Sequence, residues 1–379
     1  MKQLPLEGLI VLEFCQYLSG PSAGLRLADL GARVIKIESP KGDACRKLAI
    51  KNLWVDANDS LLFHTINRNK ESFTANLKEA DDFEAICRLI KEAHVLIHNF
   101  RPGVMEKLGL GYETVKELNN ALVYAEISGY GSKGPWNKRP GQDLLLQAKS
   151  GLMYTSGNQD DPPVPFGLAI GDILCGAQLV QGILAGLIRV QKRGEGCKIE
   201  LSLLESLLDF QFELLTTYYA SGKLPERSRS TNGHPLLGAP YGIHRTKDGY
   251  LAIAMANLKK LATVMNCEGL KAFQQQEAFR QRDEIKSVLA ACLKENTNGF
   301  WMEKFRRHDL WAMPLWDWQT LAESEGYKTL GMELRLNTDK AIRTTRCPIR
   351  FDGRKLYNGR PAPGLGADTD NIIQEFGLK

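Results

Sequence analysis

One carboxylate stands apart by its neighbours. From Val164 the chain runs through a short apolar stretch to Gly171-Asp172, then through sixteen uncharged residues to Arg189. A carboxylate held by small residues at a buried helix start is a candidate nucleophile, because desolvation raises its reactivity. Asp is equally a favoured helix N-cap, and the local sequence does not separate the two roles. A second chemistry is offered by basic groups near expected strand ends: Arg33, Lys36, Arg68, Lys70, Arg101 and Lys133. Each alone reads as solvated surface charge, but several around one sheet edge would hold phosphate. The eight cysteines form no Cys-x-x-Cys pair and no His/Cys cluster at ligand spacing. They read as reduced thiols of a cytoplasmic protein, and no metal site is indicated.

The elements that must position these groups follow from the pattern. Gly8–Phe14 reads as a strand, Ser19-Gly20-Pro21-Ser22 as a loop, Ala23–Leu30 as a helix and Ala32–Glu38 as a second strand. That is a β-α-β unit. It lacks the Gly-x-Gly-x-x-Gly fingerprint, which argues against a dinucleotide cofactor. In doubly wound sheets ligands bind beyond the carboxyl ends of the strands, which points to the loops at 15–22 and 39–46. Further strands are expected at 95–98 and 121–128, the latter ending in the glycine-rich loop Gly129–Trp136, and Asp172 is expected at the end of a short strand. The helix that follows it carries Gly176, Gly182 and Gly186. Each costs about 1 kcal/mol relative to Ala, so a close backbone approach is expected there. Its apolar composition predicts burial all round.

Length and composition set the frame. A chain of 379 residues is long for one core, so two domains are expected. Hydrophobic content of 43% and charged content of 25% are those of a soluble globular protein. A net charge of +5 suits a small anionic ligand and, with no Lys/Arg-rich block, argues against a nucleic-acid partner. Gln178 and Gln181 within the apolar helix favour a core helix over a membrane span, and the N-terminus has no signal-peptide pattern. Residues 220–238 read as a linker into a smaller α+β region, and the proline-rich tail at 360–370 reads as a strap over another domain or subunit.

An ordered set of motifs now falls into place: Gly20-Pro21, Gly31-Ala-x-Val-Ile-Lys-Ile-Glu38, Asn67–Lys70, Asn99-Phe100-Arg101-Pro102-Gly103, Ser128–Gly131, Gly134-Pro135-Trp136, Gly171-Asp172, Ser202–Ser206 and Ala362–Thr369. It resembles the family III CoA-transferases, the group of formyl-CoA and carnitine CoA-transferases and α-methylacyl-CoA racemase, over nearly the whole chain. The resemblance implies an α/β fold: a large Rossmann-like CoA-binding domain (residues 1–220, completed by 330–379) and a small α+β domain with its linkers (221–329). It also implies an interlocked homodimer. The implied reaction moves CoA from an acyl-CoA thioester to a carboxylic acid through an acyl-aspartyl anhydride and an aspartyl-CoA thioester on Asp172. The CoA thioester is then a co-substrate, and no bound cofactor or metal is needed. The CoA and substrate contacts expected are Leu18, Ser19, Arg33, Lys36, Arg68, Asn99, Phe100, Arg101, Met105, Lys133 and Gln142. The racemase branch, the alternative, pairs its aspartate with a histidine in Gly-His-Asp. The matching triplet here is Gly141-Gln142-Asp143, and an amide cannot serve as the second base. Two departures bear on specificity. Leu18 stands where formyl-CoA transferase has a glutamine, with Gln16 nearby, and Asn232-Gly233-His234-Pro235 stands in place of that enzyme's glycine loop.

Overall fold

The computed structural model describes residues 4–338, 341–356 and 359–378. Two compact units account for the chain: Met1–Leu146 with Ala169–Phe210 and Gly331–Lys379, and Gln147–Leu168 with Gln211–Leu330. Residues 147–168 and 211–220, expected in the large domain, therefore belong to the second unit.

The first unit is built on a parallel sheet of six strands: β1 (Ile10–Phe14), β2 (Arg33–Glu38), β3 (Lys70–Thr74), β4 (Val95–His98), β5 (Val123–Ser128) and β6 (Cys197–Ser202). Their order, β3-β2-β1-β4-β5-β6, reverses direction beside β1, and that reversal is where a doubly wound sheet opens a crevice. The central strands are buried on both faces: Val11, Leu12, Ile35, Val95, Leu96 and Ile97 are each at most 1% exposed. Each such side chain contributes roughly 1.5–3 kcal/mol by leaving water. Leu12, Ile35 and Leu96 share one core with Leu89, Tyr124 and Ile372, the last from the C-terminal helix.

Helix α1 (Ser19–Asp29) follows β1 directly. It starts four residues earlier than expected, because a proline in the first helical turn lacks only an N–H that would have no intrahelical partner. Helix α2 (Asp143–Ser150) leads out of the glycine-rich loop, α3 (Ile170–Arg193) is the long apolar helix, and α4 (Leu203–Phe210) follows β6. The short strand expected before Asp172 is absent; residues 163–169 are irregular. The tail lies along β3 of its own unit, where Asn69 N–H donates to Arg360 O at 3.0 Å and Asp368 N–H to Ser72 O at 3.1 Å. It then ends in α5 (Thr369–Phe376).

The second unit packs a three-stranded antiparallel sheet, β7 (Gly242–Arg245), β8 (Tyr250–Ile253) and β9 (Ala312–Pro314), with helices at Leu258–Met265, Arg282–Lys294 and Asn298–Arg307. Leu251, Leu261, Leu289, Trp301 and Phe305 form its core. Here one sequence expectation is corrected: Cys267 and Cys292 are joined as a disulfide, with Cα atoms 6.3 Å apart. The other six cysteines are free thiols.

Candidate active site

Asp172 is the third residue of α3, and Ala169 occupies the N-cap position without a side-chain cap. The simple N-cap reading is thereby corrected. Asp172's own N–H is capped by another carboxylate, donating to Asp143 Oδ1 at 3.1 Å. Asp143 opens α2. The chain before it is pinned where Gly129 and Gly141 meet so closely that a Cβ on either would lie 2.6 Å from the other's Cα.

On the other side, α1 lies tight against α3. A Cβ at Gly176 would lie 2.2 Å from Ser22 Oγ and 2.7 Å from Ser19 O, and one at Gly186 would strike Val123 at 2.9 Å. The helix glycines thus serve the close approach expected of them. Burial of α3, however, is a stripe: Gly171, Cys175, Gly176, Leu179, Ile183 and Gly186 are buried, while Ile173 and Ile188 are about half exposed. The expectation of all-round burial is corrected on that point. By length and composition this helix could cross a bilayer; its small and apolar stripe is instead spent on α1, α4 and the sheet.

Burial, chiefly, and the neighbouring Asp143 push the Asp172 carboxyl up to about 7, against a hydrogen bond from Ser19 that favours the ionised form. One turn further, burial pushes the Cys175 thiol up to about 12. Beyond the carboxyl ends of β1 to β4 lies a cavity of about 200 Å³, lined by Phe14, Cys15, Gln16, Ser39, Asp43 and Phe100 among others. It occupies the loops at 15–22 and 39–46 that the topology singled out.

The family model for CoA-transferase family III matches residues 6–369. The chain belongs to that family. It is 30% identical to human succinyl-CoA:glutarate CoA-transferase over 98% of this chain and 86% of the relative. To acetyl-CoA:oxalate CoA-transferase of Acetobacter aceti it is 31% identical, over 98% and 96%. Among solved structures, a CaiB/BaiF family protein from Brucella suis superposes with a TM-score of 0.87 at 31% identity, covering 99% of this chain and 100% of the other.

Within this family III chain the expected contact residues separate into three groups. Ser19 faces Asp172, Leu18 precedes Ser19 at the N-cap of α1, Asn99 donates to Ser19 Oγ, and Phe100 lines the cavity. Arg101, Lys133 and Gln142 are exposed. Gln142 contributes its backbone carbonyl to the start of α2, accepting from Leu145 N at 2.9 Å. The other four expectations are corrected. Lys36 is fully buried and held by Glu13 at 3.1 Å, Asp43 at 2.9 Å and Cys15 O at 2.7 Å. Burial works against its charge, but Glu13 and Asp43 outweigh it and keep the ammonium's pKa high. Arg68 is 1% exposed and forks onto Asp29. Arg33 begins β2, at the edge opposite the cavity, and is bound by Glu71 and Glu375. Met105 is 1% exposed in the core. Charge alone had suggested phosphate ligands; three of these residues instead hold the sheet and its tail together.

Asp143, which meets Asp172 N–H, and Gln16, Asp43 and Lys78, which line the cavity, were not among the expected contacts. Asp143 was legible as part of the Gly-Gln-Asp triplet, but only folding shows that it reaches the N–H of Asp172. His234 is a turn residue whose Nδ1 accepts from Leu236 N at 3.2 Å. Asp56, Asp59 and His64 bring ligand atoms within 4.8 Å of one another. Arg46 Nη1, however, lies 3.0 and 2.9 Å from the two Asp59 oxygens, a cation already where a metal would bind.

Proposed function

We propose that Asp172 is the covalent nucleophile of an acyl-CoA:carboxylate CoA-transferase. What carries the reading is a carboxylate at a buried helix start, stripped of most of its water and pressed by Asp143; a cavity lies separately beyond the carboxyl ends of the strands. Ionised Asp172 attacks the thioester carbonyl; the C–S bond breaks, CoA leaves as thiolate and an acyl-aspartyl anhydride forms. The thiolate then attacks the aspartyl carbonyl, releasing the donor's carboxylate and leaving aspartyl-CoA. The acceptor carboxylate attacks that thioester, and the returning thiolate takes the acceptor's acyl carbon, restoring Asp172. Each step exchanges one activated acyl bond for another, so no nucleotide hydrolysis is required.

The acceptor class we propose is a short dicarboxylic acid, because relatives across the whole chain are named for glutarate and oxalate. Transfer of labelled CoA from a donor acyl-CoA to a panel of acids tests this: dicarboxylates should lead, and transfer only to monocarboxylates would overturn it. A homodimer is part of the proposal, supported by the apolar residues that α3 leaves exposed. So is a cytoplasmic location, where CoA thioesters are available. The racemase reading is disfavoured by Gln142, whose amide does not titrate.

A further inference from the structure

Asn99 closes β4, and its amide is committed on three sides. Its Oδ1 accepts from Gln16 N at 2.9 Å, and its Nδ2 donates to Gln16 O at 2.7 Å and to Ser19 Oγ at 3.4 Å. The paired contacts with the backbone N–H and C=O of Gln16 fix which end of the amide is which. A serine hydroxyl that accepts from an amide still has one proton to donate. Ser19 is 5% exposed, so bulk water is not at hand to take it. Gly176 removes the side chain that would hold α1 away from α3, and the Asp172 carboxylate is the acceptor that this packing brings to the hydroxyl.

We infer that Ser19, held by Asn99, is the positioning residue of the nucleophile: its hydroxyl donates to Asp172 and orients the carboxylate for attack on the thioester. The inference rests on Asp172 being the nucleophile. Donation runs in one direction, from the Asn99 amide through the Ser19 hydroxyl to the carboxylate. A hydrogen bond into an ionised acceptor is stronger than one between neutral groups, so the contact favours the reactive form. The other groups facing Asp172 act against that form or do not ionise near neutrality. Asp143, from α2, adds like charge. Cys175, on α3 itself, stays a thiol, and Glu205 of α4 acts on Cys175.

The test uses the full-length protein and single-turnover release of the donor's carboxylate from an acyl-CoA, followed from pH 5.5 to 9. Ser19→Ala removes the donor while keeping a good helix former in place. Its acid limb should move up by about one unit, with release slowed ten- to a hundredfold below the limb and donor KM changed less than twofold. Ser19→Cys keeps the shape with a weaker donor and should move the limb the same way, which covers the case of an unstable alanine variant. Ser19→Thr, which keeps the hydroxyl, should leave the limb where wild type has it. An unmoved limb in the alanine or cysteine variant, whether or not the rate falls uniformly, would overturn the inference and leave Ser19 a packing residue. Hydroxylamine labelling of wild-type Asp172, run in parallel, separates the two failures. Label present with an unmoved limb defeats only the role of Ser19, whereas no label defeats the nucleophile and this inference with it.

Discussion

Asp172 shows what a sequence can and cannot say about one residue. Its type and its small neighbours mark it as a candidate, but its chemistry comes from Asp143, 29 positions away, and from Ser19, on a different helix. Asp143 and burial hold the carboxyl near 7, above its ordinary 3.8. A carboxyl whose folded pKa lies above its unfolded value binds its proton more tightly when folded, so this group's contribution to stability falls as pH rises from about 4 to about 7. Asp172→Asn removes the charge and keeps the shape. At pH 8 the variant should be more stable than wild type by roughly 1–2 kcal/mol, discounted from the full shift because the group keeps part of its exposure to water. Near pH 3.5 the difference should vanish. Paired thermal unfolding at the two pH values checks this, and a less stable variant at pH 8 would contradict it. Lys36 and Arg68 teach the opposite lesson. As residue types they are phosphate ligands; among Glu13, Asp43 and Asp29 they are internal counter-ions, and a linear string cannot show that those carboxylates converge on them.

Among the elements, those with strong local signals were legible. The run Ile10–Phe14 and the run Arg33–Glu38 are strands in register, Val11 opposite Val34, as their short Val/Ile-rich sequences led us to expect. The start of α1 was not, because Gly20-Pro21 reads locally as a turn and becomes helical only when α1 docks on α3 at Gly176. The glycines of α3 were read correctly for their purpose and incorrectly for their extent, since hydrophobicity cannot say which face finds a partner within one chain. Ile188 stands on the face left open. An open apolar helix face of this kind calls for a partner surface, and the partner proposed is a second copy of the chain. Sedimentation at micromolar concentration should show a dimer for wild type and a shift towards monomer for Ile188→Glu. A monomeric wild type would contradict the proposal.

At the scale of the whole molecule, the chain leaves the first unit at residue 147, returns for 169–210, leaves again and closes at 331–379. Composition suggested a linker at 220–238, whereas the second unit already begins at Gln211; the earlier excursion at 147–168 has a Pro- and Gly-rich sequence that carries no domain signature. The double crossing places Asp172 at the first residues of the returning segment, immediately beside α1 and the sheet's switch point. An architecture that brings a distant segment back to deliver one carboxylate makes that carboxylate the centre of the account. The most direct measurement incubates the intact protein with a donor acyl-CoA and hydroxylamine, then maps the modified peptide by mass. The account predicts a hydroxamate at Asp172 that depends on acyl-CoA, with neither label nor CoA transfer in Asp172→Ala. An unlabelled Asp172, or an alanine variant that still transfers CoA at a substantial rate, would contradict it.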